Sequence, residues 1–130
     1  MSEVGRQPLV LMAEDDAIVG LDLCDALVRG GFRVAGPLDT NAEASACIER
    51  GTPAVAILKI RLKDGPTDDL ALMLRRRGVP ILMHTESDSA ASRTAALAGT
   101  PWLSRPAWHR DVVDVLGELT ARAAQTGSRS

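Results

Sequence analysis

Five short apolar runs, separated by stretches with helical periodicity, constrain this chain more than any other feature of its sequence. Residues 8–13 are apolar throughout and stop at Glu14-Asp15-Asp16, the pattern of a buried parallel strand whose C-terminal end meets solvent. From Ala17 to Val28, apolar Ile18, Leu21, Cys24, Leu27 and Val28 recur at helical spacing, and Gly30-Gly31 supplies the stop. Residues 32–35 read as a second strand closed by Gly36-Pro37, after which Thr40 or Asn41 caps a helix running to Gly51. Residues 54–58 form a third run, whose strand ends at or near Lys59 and leads into a loop closed by Gly65-Pro66. Thr67 then stands at the cap of a third helix, with Asp68 and Asp69 in its first turn and Arg75, Arg76 and Arg77 at its end, each sign suited to the helix dipole. Residues 79–83 make a fourth strand, and Ser87 or Ser89 opens a short Ala-rich helix to about Leu97. Trp102-Leu103 is a weak fifth strand, and Trp108, Val112, Val113, Val115, Leu116 and Leu119 mark a final amphipathic helix after Pro106.

Near-continuous apolar strands alternating with helices require a parallel sheet covered on both faces. With right-handed crossovers, this predicts an α/β, flavodoxin-like (βα)5 doubly wound sheet with strand order 2-1-3-4-5. The 130 residues fit a single domain, predicted over residues 1–124, with residues 125–130 as a polar tail that frays. Basic residues number 15 against 17 acidic ones, a net charge of −2, which argues against a nucleic-acid partner bound by phosphate neutralisation. No run approaches the roughly 20 apolar residues of a membrane span. The first eight residues hold no secretory core segment, so a cytoplasmic protein is expected. Cys24 and Cys47 lie in separate helical segments without metal or redox spacing and read as reduced thiols. Thirteen of the basic residues are Arg; the two lysines, Lys59 and Lys63, fall in one short segment.

In an open parallel sheet, ligands bind beyond the carboxyl ends of the strands where the strand order reverses, here between the first and third strands. Glu14, Asp15 and Asp16 follow the first strand, Lys59 ends the third, Thr85 follows the fourth and Arg105 the fifth. Carboxylates, an ammonium, a hydroxyl and a guanidinium are therefore expected around one crevice.

These residues resemble the receiver domain of two-component response regulators. The resemblance spans residues 9–119 and rests on Val-Leu-Met-Ala-Glu-Asp-Asp ending at Asp16, Ala-Ile-Leu-Lys-Ile-Arg-Leu-Lys-Asp-Gly ending at Gly65, Val-Pro-Ile-Leu-Met-His-Thr ending at Thr85, and Trp-Leu-Ser-Arg-Pro ending at Pro106. It implies that Glu14 and Asp15 are the acidic pair that holds a divalent cation. It places Thr85 at the hydroxyl position that answers a phosphoryl group, and Trp102 at the aromatic switch position. Arg105, before Pro106, stands where the family has a lysine. Lys59 stands where the family has its phosphoryl-accepting aspartate.

That substitution removes the nucleophile, because an ammonium with a reference pKa of about 10.4 has no lone pair to attack phosphorus at neutral pH. It also takes one oxygen ligand from the metal and sets a cation in its place, so Mg²⁺ binding at Glu14 and Asp15 is expected to be weak or absent, and no cofactor is implied. Lys59 is expected to bridge Asp15 and either Glu14 or Asp16 in the metal's stead, or else to carry its amine to solvent on its long stem. Asp64, before Gly65, reads as a turn residue rather than a substitute acceptor, and Lys63 as a solvated loop charge. His84 and His109 read as core or surface residues, not ligands.

The resulting expectation is a non-enzymatic, stand-alone atypical receiver, a pseudo-receiver in phosphorelay signalling that acts by protein–protein interaction. Its partner would be a histidine kinase or another regulator, with a homodimer through the fourth-helix, fifth-strand, fifth-helix face around residues 90–97, Trp102 and residues 107–119. Either Trp102 or Trp108 could anchor such an interface if exposed. The alternatives are an ordinary phosphorylatable receiver carrying an engineered Lys59, or a small Mg-dependent phosphotransfer enzyme using Glu14, Asp15 and Asp16.

Overall fold

Alternation along β1 (Leu9–Ala13) shows how the layers are built. Val10 and Met12 point to one face of the sheet, and Leu11 and Ala13 to the other, each into its own apolar cluster. The computed structural model describes residues 7–85, 102–104 and 109–127. Within them the chain runs β1, α1 (Ala17–Arg29), β2 (Arg33–Leu38), α2 (Asn41–Arg50), β3 (Val55–Lys59), a small hairpin of β4 (Arg61–Leu62) and β5 (Gly65–Pro66), α3 (Asp68–Arg76), β6 (Ile81–Thr85), β7 (Trp102–Ser104) and α4 (His109–Gly127). The main sheet has the order β2-β1-β3-β6-β7, with every described neighbour pair parallel. Counting main-sheet strands alone, this is the 2-1-3-4-5 order predicted from the sequence.

One cluster packs Ala44 and Ile48 of α2 and Leu70, Ala71 and Leu74 of α3 on Leu11, Leu58 and Met83. The other packs Val19, Leu23 and Leu27 of α1 and Val112 and Leu116 of α4 on Met12, Ile57 and Leu82. No helix among the described residues is long and apolar enough to cross a membrane.

Several local expectations are corrected. The inward face of α1 is Val19, Gly20, Leu23 and Leu27, whereas Ile18, Leu21 and Val28 stand 80%, 63% and 59% exposed. The helix is apolar on more than one side, and of the residues whose spacing marks it in sequence the core takes Leu27 fully and Cys24 in part. The second strand does not close at Gly36-Pro37 but runs through it to Leu38, with an irregular register opposite Leu11 and Ala13. Pro37 is tolerated because β2 is an edge strand, where a missing N–H costs the ladder nothing. Gly36 is required there: its φ is +137° and an added Cβ would sit 2.4 Å from the Met12 carbonyl oxygen.

Thr40, not Asn41, caps α2, its Oγ1 accepting from Glu43 N at 3.1 Å. The fourth main strand begins two residues later than predicted, at Ile81, and reaches Thr85. The final helix continues to Gly127, so residues 125–127 of the expected tail are helical. The short helix expected from Ser87 or Ser89 to about Leu97 lies outside the described residues.

Candidate functional site

Parallel register sets the site. Ala13 pairs with Leu58, so the next residues, Glu14 just past β1 and Lys59 at the end of β3, stand side by side at the carboxyl edge of the sheet. Glu14 is anchored by its own N–H, which donates to the Leu38 carbonyl at 2.9 Å, and its side chain is 2% exposed. Lys59 Nζ lies 2.8 Å from Asp15 Oδ1 and 3.3 Å from Glu14 Oε2. One ammonium thus spans both carboxylates, with its side chain 22% exposed.

Asp16 takes a different task. Its Oδ1 accepts from Ile18 N at 3.0 Å and Val19 N at 3.2 Å, capping α1, while its own N–H donates to Glu14 Oε2 at 3.0 Å. Of the two partners expected as alternatives beside Asp15, Lys59 takes Glu14 and leaves Asp16 to the helix. A carboxylate that answers two orphan N–H groups at a positive helix end is already stabilised without an ammonium.

The far side of the crevice is tied down through the loop after β3. Thr67 Oγ1 lies 2.7 Å from the Lys59 carbonyl oxygen and 3.0 Å from that of Ile60, and Thr67 is fully buried. It occupies the cap position of α3 but makes no side-chain cap bond, contrary to the sequence expectation. Its hydroxyl donates to β3 instead, because the hairpin turns that strand end back against the helix start. Asp64 is more than a turn residue: Oδ1 accepts from Asn41 N at 2.7 Å and Oδ2 from Ala42 N at 3.2 Å. It therefore caps α2 across the loop, and these hydrogen bonds, the Asn41 N–H first, hold its carboxyl below the usual carboxylate range. Lys63 is exposed as expected, yet pairs with Asp39 at 2.9 Å.

No family model matches the chain. It is 31% identical over 118 residues to the photosynthetic apparatus regulatory protein RegA of Rhodovulum sulfidophilum, covering 88% of this chain and 64% of that protein. RegA of Rhodobacter capsulatus is 29% identical over 119 residues, with the same coverage. The chain thus spans just under two thirds of the length of these relatives. Among solved structures, a CheY-like response regulator receiver domain protein from Methanospirillum hungatei JF-1 aligns with TM-score 0.81 at 23% identity, over 92% of this chain and 98% of that one. A response regulator receiver protein from Sinorhizobium medicae WSM419 also gives 0.81, at 20% identity, over 90% and 97%. The fold is that of a response-regulator receiver domain.

On this receiver fold Glu14, Asp15 and Lys59 come together as the sequence indicated. Thr85 ends β6 one residue beyond His84, the register partner of Lys59, and Trp102 opens β7 opposite Met83. Arg105, Pro106 and Trp108 lie outside the described residues, as does the 90–97 part of the face expected to form a homodimer. Burial by itself would lower the Lys59 pKa. The hydrogen bond to Asp15 and the charge and hydrogen bond of Glu14 together outweigh it and hold the ammonium above the usual lysine range. Among the described residues no group of three or more His, Cys, Asp or Glu side chains could hold a metal ion. In the sequence alone, Thr67 and Asp64 carry local roles only. A hydroxyl before a helix and an aspartate before a glycine look the same whether they bond nearby or across a loop.

Proposed function

We propose that this receiver domain works as a docking module in two-component signalling whose conformation is set without phosphorylation at the β3 end. The observation that carries the reading is Lys59 Nζ within 3.3 Å of both Glu14 and Asp15. A protonated amine at that point cannot attack phosphorus, and its charge already neutralises the carboxylates that a divalent cation would otherwise need to hold apart. The donor set does not fit such a cation: the two carboxylates face an ammonium, and the third strand end supplies no oxygen ligand from a side chain. At about 4 Å and an effective dielectric of about 20, each close pair is worth on the order of 4 kcal/mol before desolvation is subtracted.

The RegA relatives are regulatory proteins by name. That supports a signalling protein, such as a histidine kinase or another regulator, as the partner. The test is incubation with Mg²⁺ and acetyl phosphate followed by intact mass. The expected result is an unchanged mass, with partner binding unaffected by either reagent. A stoichiometric, acid-labile phosphate adduct overturns the reading.

A further inference from the structure

The outer surface of α3 carries an arrangement that the Lys59 site does not use. Asp69, Leu72, Met73 and Arg76 are spaced i, i+3, i+4 and i+7, so they share one face of the helix. Asp69 and Arg76 are exposed, Met73 is half-buried, and Leu72 is one of the few exposed large hydrophobic residues of the described chain, at 36%. Two shallow clefts include residues of this stripe. One, of about 440 Å³, is lined by Asp69, Leu70 and Met73 together with Ser45 and Asp64. The other, of about 310 Å³, is lined by Asp69, Leu72, Met73, Arg76 and Arg77.

The sequence of the stripe, acid then two apolar residues then base, is its own complement when reversed. Laid antiparallel on a second copy, Asp69 meets Arg76 of that copy and Arg76 meets its Asp69. Leu72 and Met73 then fall on the axis, where each Leu72 faces the cleft lined by Leu72 and Met73. Within one chain the two charges lie seven residues apart, about 10 Å along the helix, and do not pair with each other. A parallel arrangement would set Asp69 on Asp69 and Arg76 on Arg76, so charge selects the antiparallel one. A two-fold axis repeats each contact, giving two such ion pairs around one apolar centre.

We propose that α3 is a self-association surface, on which a second copy of this chain docks antiparallel through Asp69, Leu72, Met73 and Arg76. A nine-residue helix buries far less than the roughly 1,600 Å² of a standard interface. The dimer is therefore weak and concentration-dependent, and screened by salt. It does not depend on the role given to Lys59.

The test is sedimentation equilibrium of the full chain from micromolar to millimolar concentration, with melting curves as the control for folding. Dimer is expected to accumulate toward the millimolar end. Asp69→Arg and Arg76→Asp are each expected to weaken it about tenfold by setting like charges together, and the double exchange to restore it. Leu72→Ser, at an exposed position, should weaken it with no change in melting temperature. A chain that stays monomeric at millimolar concentration overturns the proposal. So does a dimer indifferent to all three single substitutions, or a double exchange weaker than either single one.

Discussion

Thr67 Oγ1 stands 2.7 Å from the carbonyl oxygen of Lys59, so the hydroxyl that opens α3 also fixes the backbone of the residue whose ammonium spans Glu14 and Asp15. Thr67 is itself fully buried and its bond to Lys59 partly so, and losing the hydroxyl leaves that carbonyl without this donor. Thr67→Val keeps the shape and removes the donor, and is expected to cost about 1–2 kcal/mol of unfolding free energy, read from urea unfolding. Thr67→Ser keeps the donor and should cost less. A Thr67→Val protein as stable as the original, with Thr67→Ser the destabilised one, would show that packing of the methyl group, not the hydrogen bond, is what Thr67 supplies.

Removing the Lys59 charge should be more damaging than removing its hydrogen-bonded anchor. Glu14 is almost wholly buried, and Lys59→Met leaves it facing Asp15 across a shared space with no cation between them. Breaking a buried pair in this way costs about 3 kcal/mol or more. Lys59→Asp adds a third carboxylate, and its melting temperature is expected to fall in EDTA and to rise with added Mg²⁺, while the unsubstituted chain responds to neither. A Lys59→Asp melting curve indifferent to Mg²⁺ would mean the carboxylates do not converge on the ammonium.

The site was legible in the sequence because parallel strands end together. With residues 8–13 and 54–58 as neighbouring parallel strands, Glu14 and Lys59 have to meet side by side at the carboxyl edge of the sheet. What was not legible is which of several equally apolar faces a helix turns inward. Both Ile18-Leu21-Val28 and Val19-Leu23-Leu27 have helical spacing, and only the position of the sheet and of Pro37 beside Gly20 selects the second. The same limit hid Asp64, whose partners Asn41 and Ala42 are more than twenty residues away and come near only through the packing of α2 beside the β3 loop.

That choice of face gives a sharp contrast between neighbours on one helix. Leu23→Ala removes a side chain that is 1% exposed and should destabilise by about 2–4 kcal/mol, while Ile18→Ala, at a position 80% exposed, should change stability by less than about 0.5 kcal/mol. Gly20→Ala probes the contact that sets the helix against β2. Its Cβ would lie 2.6 and 2.7 Å from the Pro37 ring carbons, so overpacking of about 1–3 kcal/mol outweighs the roughly 1 kcal/mol gain in helix propensity. A Gly20→Ala protein that melts higher than the original would refute this close approach.

Stability should also fall on the alkaline side, in an order set by three groups. The Cys24 thiol is raised by burial, and the Lys59 and Lys63 ammoniums are raised by their carboxylate partners, against the burial that by itself would lower Lys59. A group whose folded pKa is raised contributes stability that is present below its unfolded value and lost as pH climbs through the folded one. The thiol contribution therefore begins to fade above about pH 8.5, and the lysine contributions above about pH 10.4. Asp39 and Asp64 carry the opposite sign. Lowered by the Lys63 hydrogen bond and by the Asn41 N–H respectively, they contribute stability above about pH 3.9 that is lost as pH falls through their folded values. Urea unfolding across this range separates the groups: Cys24→Ala should remove the first alkaline decline, and Lys59→Met should flatten the second more than Lys63→Met does. The reason is that Lys59 holds two carboxylates in a largely buried crevice, whereas Lys63 holds one at an exposed loop. An alkaline decline that Lys59→Met leaves untouched would show that its ammonium is not what joins β3 to the end of β1.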